Sequence, residues 1–140
     1  MVERGAAINN TNEYGETAHI VAAKFGKLEN FRYPTEIGAD INIRNAKDKN
    51  NTALHYAANS GSVDIITLLL DKGMSVNLTN TQDSTPLHFS AQFGHLEATK
   101  ALVERGAAIN STDKNGDTPL IVSAFEGKLQ ICVNTSMRDV

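Results

Sequence analysis

Thr52-Ala53-Leu54-His55 returns as Thr85-Pro86-Leu87-His88 and again as Thr118-Pro119-Leu120-Ile121, each step 33 residues long. A Gly stands nine residues after each Thr, at Gly61, Gly94 and Gly127, and another follows twelve later at Gly73 and Gly106. Self-similarity with a period of about 20–50 residues marks a stacked array, and it decides the fold before any secondary structure is read. An earlier copy fits the same frame with Thr17, Gly26 and Gly38. It lies 35 residues ahead of the next copy, so two extra residues fall within Ile43 to Asn50. That stretch is polar and reads as a loop, where insertions cost little. Val2 to Asn9, VERGAAIN, is identical to Val103 to Asn110, so the chain is read as opening in the tail of a preceding unit.

The unit itself is predicted from local chemistry. Thr before Pro starts a helix, because the Thr side chain caps orphan amides and Pro at the first helical position loses no hydrogen bond. Leu54, Ala57 and Ala58 then line one helical face. Gly61 permits the left-handed turn that ends this helix. Val63, Ile66, Leu69 and Leu70 repeat at helical spacing in a second helix, which Gly73 ends. From Val76 the chain is read as extended and then turn-like. One such unit cannot bury its own apolar face, so neighbours must stack and share a core. Small alanines on the first helix against leucines on the second predict curvature toward the first-helix side.

These features together resemble the ankyrin repeat. The residues that carry the resemblance are Ser84-Thr85-Pro86-Leu87-His88, Gly94-His95-Leu96-Glu97 and Gly106-Ala107-Ala108-Ile109-Asn110. The resemblance implies an all-α repeat solenoid of ankyrin-type helix-turn-helix units joined by extended β-hairpin-like loops. Residues 1–140 are read as a single ankyrin-repeat domain. Within it, 1–11 form the tail of a preceding repeat, 12–46 a degenerate first repeat, 47–79 the second, 80–112 the third and 113–140 an incomplete fourth. In the first repeat His19 takes a slot that is otherwise Leu, and Pro34 takes the slot of Leu69. Pro inside a helix costs about 3 kcal/mol, which predicts that the second helix breaks or shifts there. In the fourth repeat Asn134-Thr135-Ser136 occupy slots held by Leu68-Leu69-Leu70. Either a polar cap or a cut from a longer array accounts for that ending, and the sequence favours the cut.

Bulk composition narrows the function. With 13 basic and 16 acidic residues the formal charge is -3, and no basic stripe suits a phosphate backbone, so no nucleic-acid partner is expected. No apolar run approaches the roughly 20 residues that span a bilayer, so no direct membrane insertion is expected. One cysteine, Cys132, excludes an intrachain disulfide. No signal-peptide core is read at the amino end. The expected setting is intracellular, foremost the cytoplasm, with the nucleus or a membrane-associated parent protein left open.

His55 and His88 hold equivalent slots in adjacent units, about 8–10 Å apart. Zinc ligands each reach the metal at about 2.0–2.1 Å, so the two cannot share an ion and no metal site is expected. The resemblance gives them a structural role, bonding the Thr of their own turn and nearby backbone. His95 reads as a structural helix-start residue, while His19 is ambiguous. Cys132 reads as a small buried hydrophobe rather than a nucleophile. No GxxxxGK[ST] or GxGxxG occurs. Asp113 to Asp117 lacks the Glu and phasing of a calcium loop. No catalytic residue, cofactor or small-molecule substrate is expected, and the protein is read as not an enzyme.

What remains is a surface for another protein. In ankyrin-like arrays, partners meet the loop tips and the outward end of the first helix. Carried onto this chain, these positions are Glu13, Tyr14, Glu16, Lys24 and Phe25, then Asp48, Lys49, Asn51, Asn59 and Ser60. The third repeat supplies Thr81, Gln82, Ser84, Gln92 and Phe93, and the fourth Lys114, Asn115, Asp117, Phe125 and Glu126. Phe25 and Phe93 share one slot, with Ser60 as its gap, and Phe125 stands one position before that slot. They are read either as anchors on a concave face or as rings folded over the adjacent helix. The expected function is an adaptor, inhibitor or recognition arm, with a structural spacer as the alternative.

Overall fold

The computed structural model describes residues 8–128, and among them the chain forms seven helices. They are α1 (Ala18–Phe25), α2 (Leu28–Glu36), α3 (Ala53–Ser60), α4 (Val63–Asp71), α5 (Pro86–Gln92), α6 (Leu96–Glu104) and α7 (Pro119–Phe125). The first helices α1, α3, α5 and α7 pack in one row, and α2, α4 and α6 form a second layer behind them. The two layers make the all-α repeat solenoid that the period predicts. Packing is denser within the first row, where Ala23, Ala57, Ala58 and Ala91 are all fully buried. Small side chains let those helices approach closely.

Each first helix starts as its Thr predicts. Thr17, Thr52, Thr85 and Thr118 are extended, and each side chain accepts from the amide three residues on. A cap of this kind is worth about 1 kcal/mol. Pro86 and Pro119 sit at the first helical position, where a missing amide costs nothing. Gly61 ends α3 with φ +74°, and a Cβ there would lie 2.6 Å from Nδ1 of His95 in the next repeat. Only glycine serves both demands.

One core runs from α1 through α6. Ile20, Phe31, Leu54, Ile65, Ile66, Leu69, Leu87 and Leu102 are its largest fully buried apolar side chains, each contributing about 1.5–3 kcal/mol by burial. Between helix pairs the chain folds into tight turns, closed by one amide–carbonyl bond. Asn12 N–H donates to the Glu16 carbonyl, Asn80 to Ser84 and Asp113 to Asp117. In the second repeat the same bond runs from Asn45 to Asn51, so the two extra residues lie inside the turn itself. Lys49 and Asn50 there adopt φ of +56° and +61°. The hairpin character is slight: among the described residues only Asn45 and Asn51 form a β-bridge.

Pro34 corrects an expectation. Helix α2 neither breaks nor shifts at it but runs on to Glu36, with Pro34 buried inside. The lost bond is the one to the Asn30 carbonyl, and only two helical residues follow. Tertiary contacts hold that final turn. Thr35 Oγ1 donates to the Phe31 carbonyl at 2.9 Å, and its oxygen accepts from His19 Nε2 at 2.7 Å. The His19 ring lies 4.5 Å from that of Phe31. The two departures of this repeat thus support each other: His19 clamps the turn that Pro34 weakens. Pro34→Leu is expected to restore the helix bond and stabilise the chain by about 1–3 kcal/mol, read as a raised urea midpoint with unchanged slope.

Candidate functional site

A surface can present side chains rigidly only if the units beneath it are locked in register. Two buried histidines do this. Thr52 N–H donates to His55 Nδ1 at 3.1 Å, so that nitrogen is an acceptor. Nε2 therefore carries the proton and donates to the Ser84 carbonyl of the next repeat at 3.0 Å. His88 repeats the arrangement, with Thr85 N–H at 3.1 Å and the Asp117 carbonyl at 2.9 Å. Burial pushes the His55 pKa down to about 4, although its bond to Ser84 works the other way. Burial likewise lowers that of His19, partly opposed by Asp40. His95 reaches back, its Nε2 2.9 Å from the Asn59 carbonyl.

Side chains also organise the turns. Asn12 Oδ1 accepts from the amides of Tyr14 and Glu16, Asn80 Oδ1 from Gln82 and Ser84, and Asp113 Oδ1 from Asn115 and Asp117. Neighbouring tips are then stitched together. Thr81 N–H donates to the Lys49 carbonyl at 2.9 Å and Lys114 N–H to that of Gln82 at 3.0 Å. Where the longer second turn departs from this pattern, Lys47 Nζ reaches the Glu13 carbonyl at 2.9 Å instead.

The expected partner residues divide on this frame. Glu13, Tyr14, Lys49, Thr81, Gln82, Lys114 and Asn115 are exposed at the tips, as are Phe25, Phe93, Phe125 and Glu126 at the helix ends. Gln92, Ser84, Asp117 and Asn59 are half-buried. Lys24 is half-buried and paired with Glu16. Burial raises the Glu16 pKa, but the bonds from Lys24 and Asn12 and the charge of Lys24 outweigh it, leaving it below the usual range. Asn51 is a correction: it is buried, and its Oδ1 accepts from Asn80 Nδ2 at 2.8 Å, so it joins repeats rather than meeting a partner. Asp48 too is committed, accepting from the Tyr56 hydroxyl at 2.5 Å. Burial first, and then that bond, hold the Tyr56 phenol above its usual range.

A family model described as ankyrin repeats, many copies, matches residues 20–70, 54–103 and 91–133. The chain belongs to the ankyrin-repeat family. Stretches of three larger proteins are similar to it. Protein fem-1 homolog A-like of Mus musculus is 43% identical over 68 residues, covering 49% of this chain and 10% of that protein. The E3 ubiquitin-protein ligase hecd-1 of Caenorhabditis elegans is 32% identical over 71 residues, covering 51% and 2%. Alpha-latrotoxin-Lt1a of Latrodectus tredecimguttatus is 33% identical over 73 residues, covering 52% and 5%. The aligned stretches thus make up a tenth or less of each relative's length.

Ankyrin repeats generally mediate protein–protein interaction and form a non-catalytic module. Both repeat histidines are spent on the frame, and among the described residues no three His, Cys, Asp or Glu side chains gather as a metal site. No described helix is long and apolar enough to cross a membrane. Cys132 and the second helix expected in the fourth repeat lie outside the described residues. Reading by repeat slot missed the polar cluster of buried Asn45, Asn51 and Tyr56 with half-buried Asp48. The two-residue insertion was its signal, since a longer turn needs its own internal partners.

Proposed function

We propose that this chain is a protein-binding module that presents its turn tips and first-helix ends to a partner protein, as adaptor, inhibitor or recognition arm. The observation that carries this reading is the exposure of three aromatic rings at the ends of first helices. Phe25, Phe93 and Phe125 are 65%, 47% and 77% exposed, so the fold does not use their rings as core. Ser60, in the slot of Phe25 and Phe93, is half-buried and donates to the Ala23 carbonyl of the preceding repeat at 2.7 Å. That slot therefore lies along the repeat junctions, where Phe25 and Phe93, with Phe125 one position earlier in the fourth repeat, form a broken apolar ridge. Exposed aromatics beside polar tips are the composition of interface anchors.

Affinity capture from cell extract, read by mass spectrometry, tests the reading. Two control baits serve, one with alanine at Gln82, Gln92, Lys114 and Asn115 and one carrying Phe93→Ser with Phe125→Ser. All these side chains are exposed or half-exposed, so circular dichroism should show unchanged helix content. A partner held by the natural chain should fall at least about tenfold with the serine bait, the loss of roughly 1.4 kcal/mol or more. Equal recovery on all three baits would refute this surface. A folded chain that captures nothing would favour a spacer.

A further inference from the structure

We infer that the cleft between the first two turn tips receives the guanidinium of an arginine from the partner's chain. The inference rests on the binding-module reading above and gives the chemistry of the contact at one repeat junction.

The cleft follows from the two-residue insertion. At the later junctions the tips are joined backbone to backbone, Thr81 N–H to the Lys49 carbonyl and Lys114 N–H to that of Gln82. Among the described residues no backbone bond joins the first tip to the second, and Lys47 Nζ bridges to the Glu13 carbonyl instead. The space left there is about 460 Å³, within the range of about 300–1,000 Å³ typical of ligand sites.

Its walls are charged, three carboxylates facing two lysines, and the two signs are unequally engaged. Lys24 is paired with Glu16, and Lys47 is held on the Glu13 carbonyl. The Glu13 carboxylate has no partner among the described residues, and Asp48 uses only Oδ2, for the Tyr56 hydroxyl. Burial and the charge of Asp48 both oppose ionisation of Glu16, so a cation entering the cleft eases that repulsion. Tyr14 lines the same space with a ring that is 64% exposed. Arginine fits this set better than lysine, because its planar fork bonds carboxylate oxygens in pairs and its face stacks on aromatic rings.

Exposure of these slots does not depend on where the described stack starts. Thr81 and Gln82 hold the slots of Glu13 and Tyr14 in the third repeat, where a preceding tip is present, and both are exposed there. The cleft also borders the aromatic ridge, since Lys24 Nζ lies 5.9 Å from the centroid of the Phe25 ring. One partner segment can therefore engage both.

Titration of the natural chain with a capped glycine–arginine–glycine tripeptide, followed through backbone amide shifts by NMR, tests the cleft. The control peptide carries citrulline, which keeps the shape of arginine and lacks its charge. The amides of Tyr14, Glu16 and Asp48 should shift saturably with the arginine peptide and stay in place with the control. Glu13→Gln and Tyr14→Ala, both at exposed positions, should each weaken binding about threefold or more. No saturable shift, equal shifts with the citrulline peptide, or unchanged affinity in either variant would overturn the proposal. The tripeptide carries no group for the ridge, so failure here, with a partner still captured through Phe93 and Phe125, sinks the cleft alone.

Discussion

Lowering the pH from 7 to 4 is expected to remove about 3 kcal/mol of stability through His55 alone. Its folded pKa of about 4 lies below the ordinary value near 6.5, so the unfolded chain takes up the proton first. The contribution is whole above pH 6.5 and is lost as the pH falls toward 4. The geometry supplies the reason. Nδ1 accepts the Thr52 amide, and a proton on Nδ1 would set two donors against each other inside the core. His19, also lowered by burial, adds to the loss with the same sign. His55→Leu should cost about 2–4 kcal/mol at pH 7, since the Thr52 amide and Ser84 carbonyl lose a buried partner. It should also flatten the pH dependence. Urea unfolding at a series of pH values checks both, and parallel slopes for the two proteins would show that His55 is not the titrating group.

Leu54→Ala is expected to cost about 3–5 kcal/mol, at the upper end of the range for buried leucines. Leu54 is fully buried on α3, the helix that packs on α1, α4 and α5. A cavity there loosens contacts to both neighbours, and in a stacked array stability is the sum of units and their interfaces. Leu87→Ala should match it, because Leu87 holds the same slot and is 1% exposed. Leu120→Ala should cost about half as much or less, since Leu120 is only half-buried. Thermal and urea unfolding of the three variants would show this order. Equal costs would mean that the fourth repeat is packed as firmly as the middle ones.

The array was legible because its signals are local and repeated. Thr52, Thr85 and Thr118 cap helices wherever they stand, and His55 and His88 bond back to the Thr three residues earlier. What stayed hidden depends on contacts distant in sequence. Helix α2 survives Pro34 because His19, sixteen residues earlier, bonds Thr35. Asn51 is buried because Asn80 reaches it from the next repeat. Slot analogy placed Asn51 and Asp48 at a partner surface, as it did Thr81 and Lys114. Only the inserted turn, with Tyr56 beneath it, turned the first pair inward. Where the turn kept the standard length its tip is exposed, as at Gln82 and Asn115.

The central claim is that this face, and not merely this fold, receives another protein. Site-specific photo-crosslinking tests it most directly. A photoreactive amino acid would replace Phe93 or Phe125 on the ridge, and Lys72, exposed at the end of α4 in the second layer, would carry it as control. After irradiation in cell extract, the account predicts one protein crosslinked from positions 93 and 125 and absent from position 72. Crosslinks of equal yield from all three positions, or from position 72 alone, would contradict it.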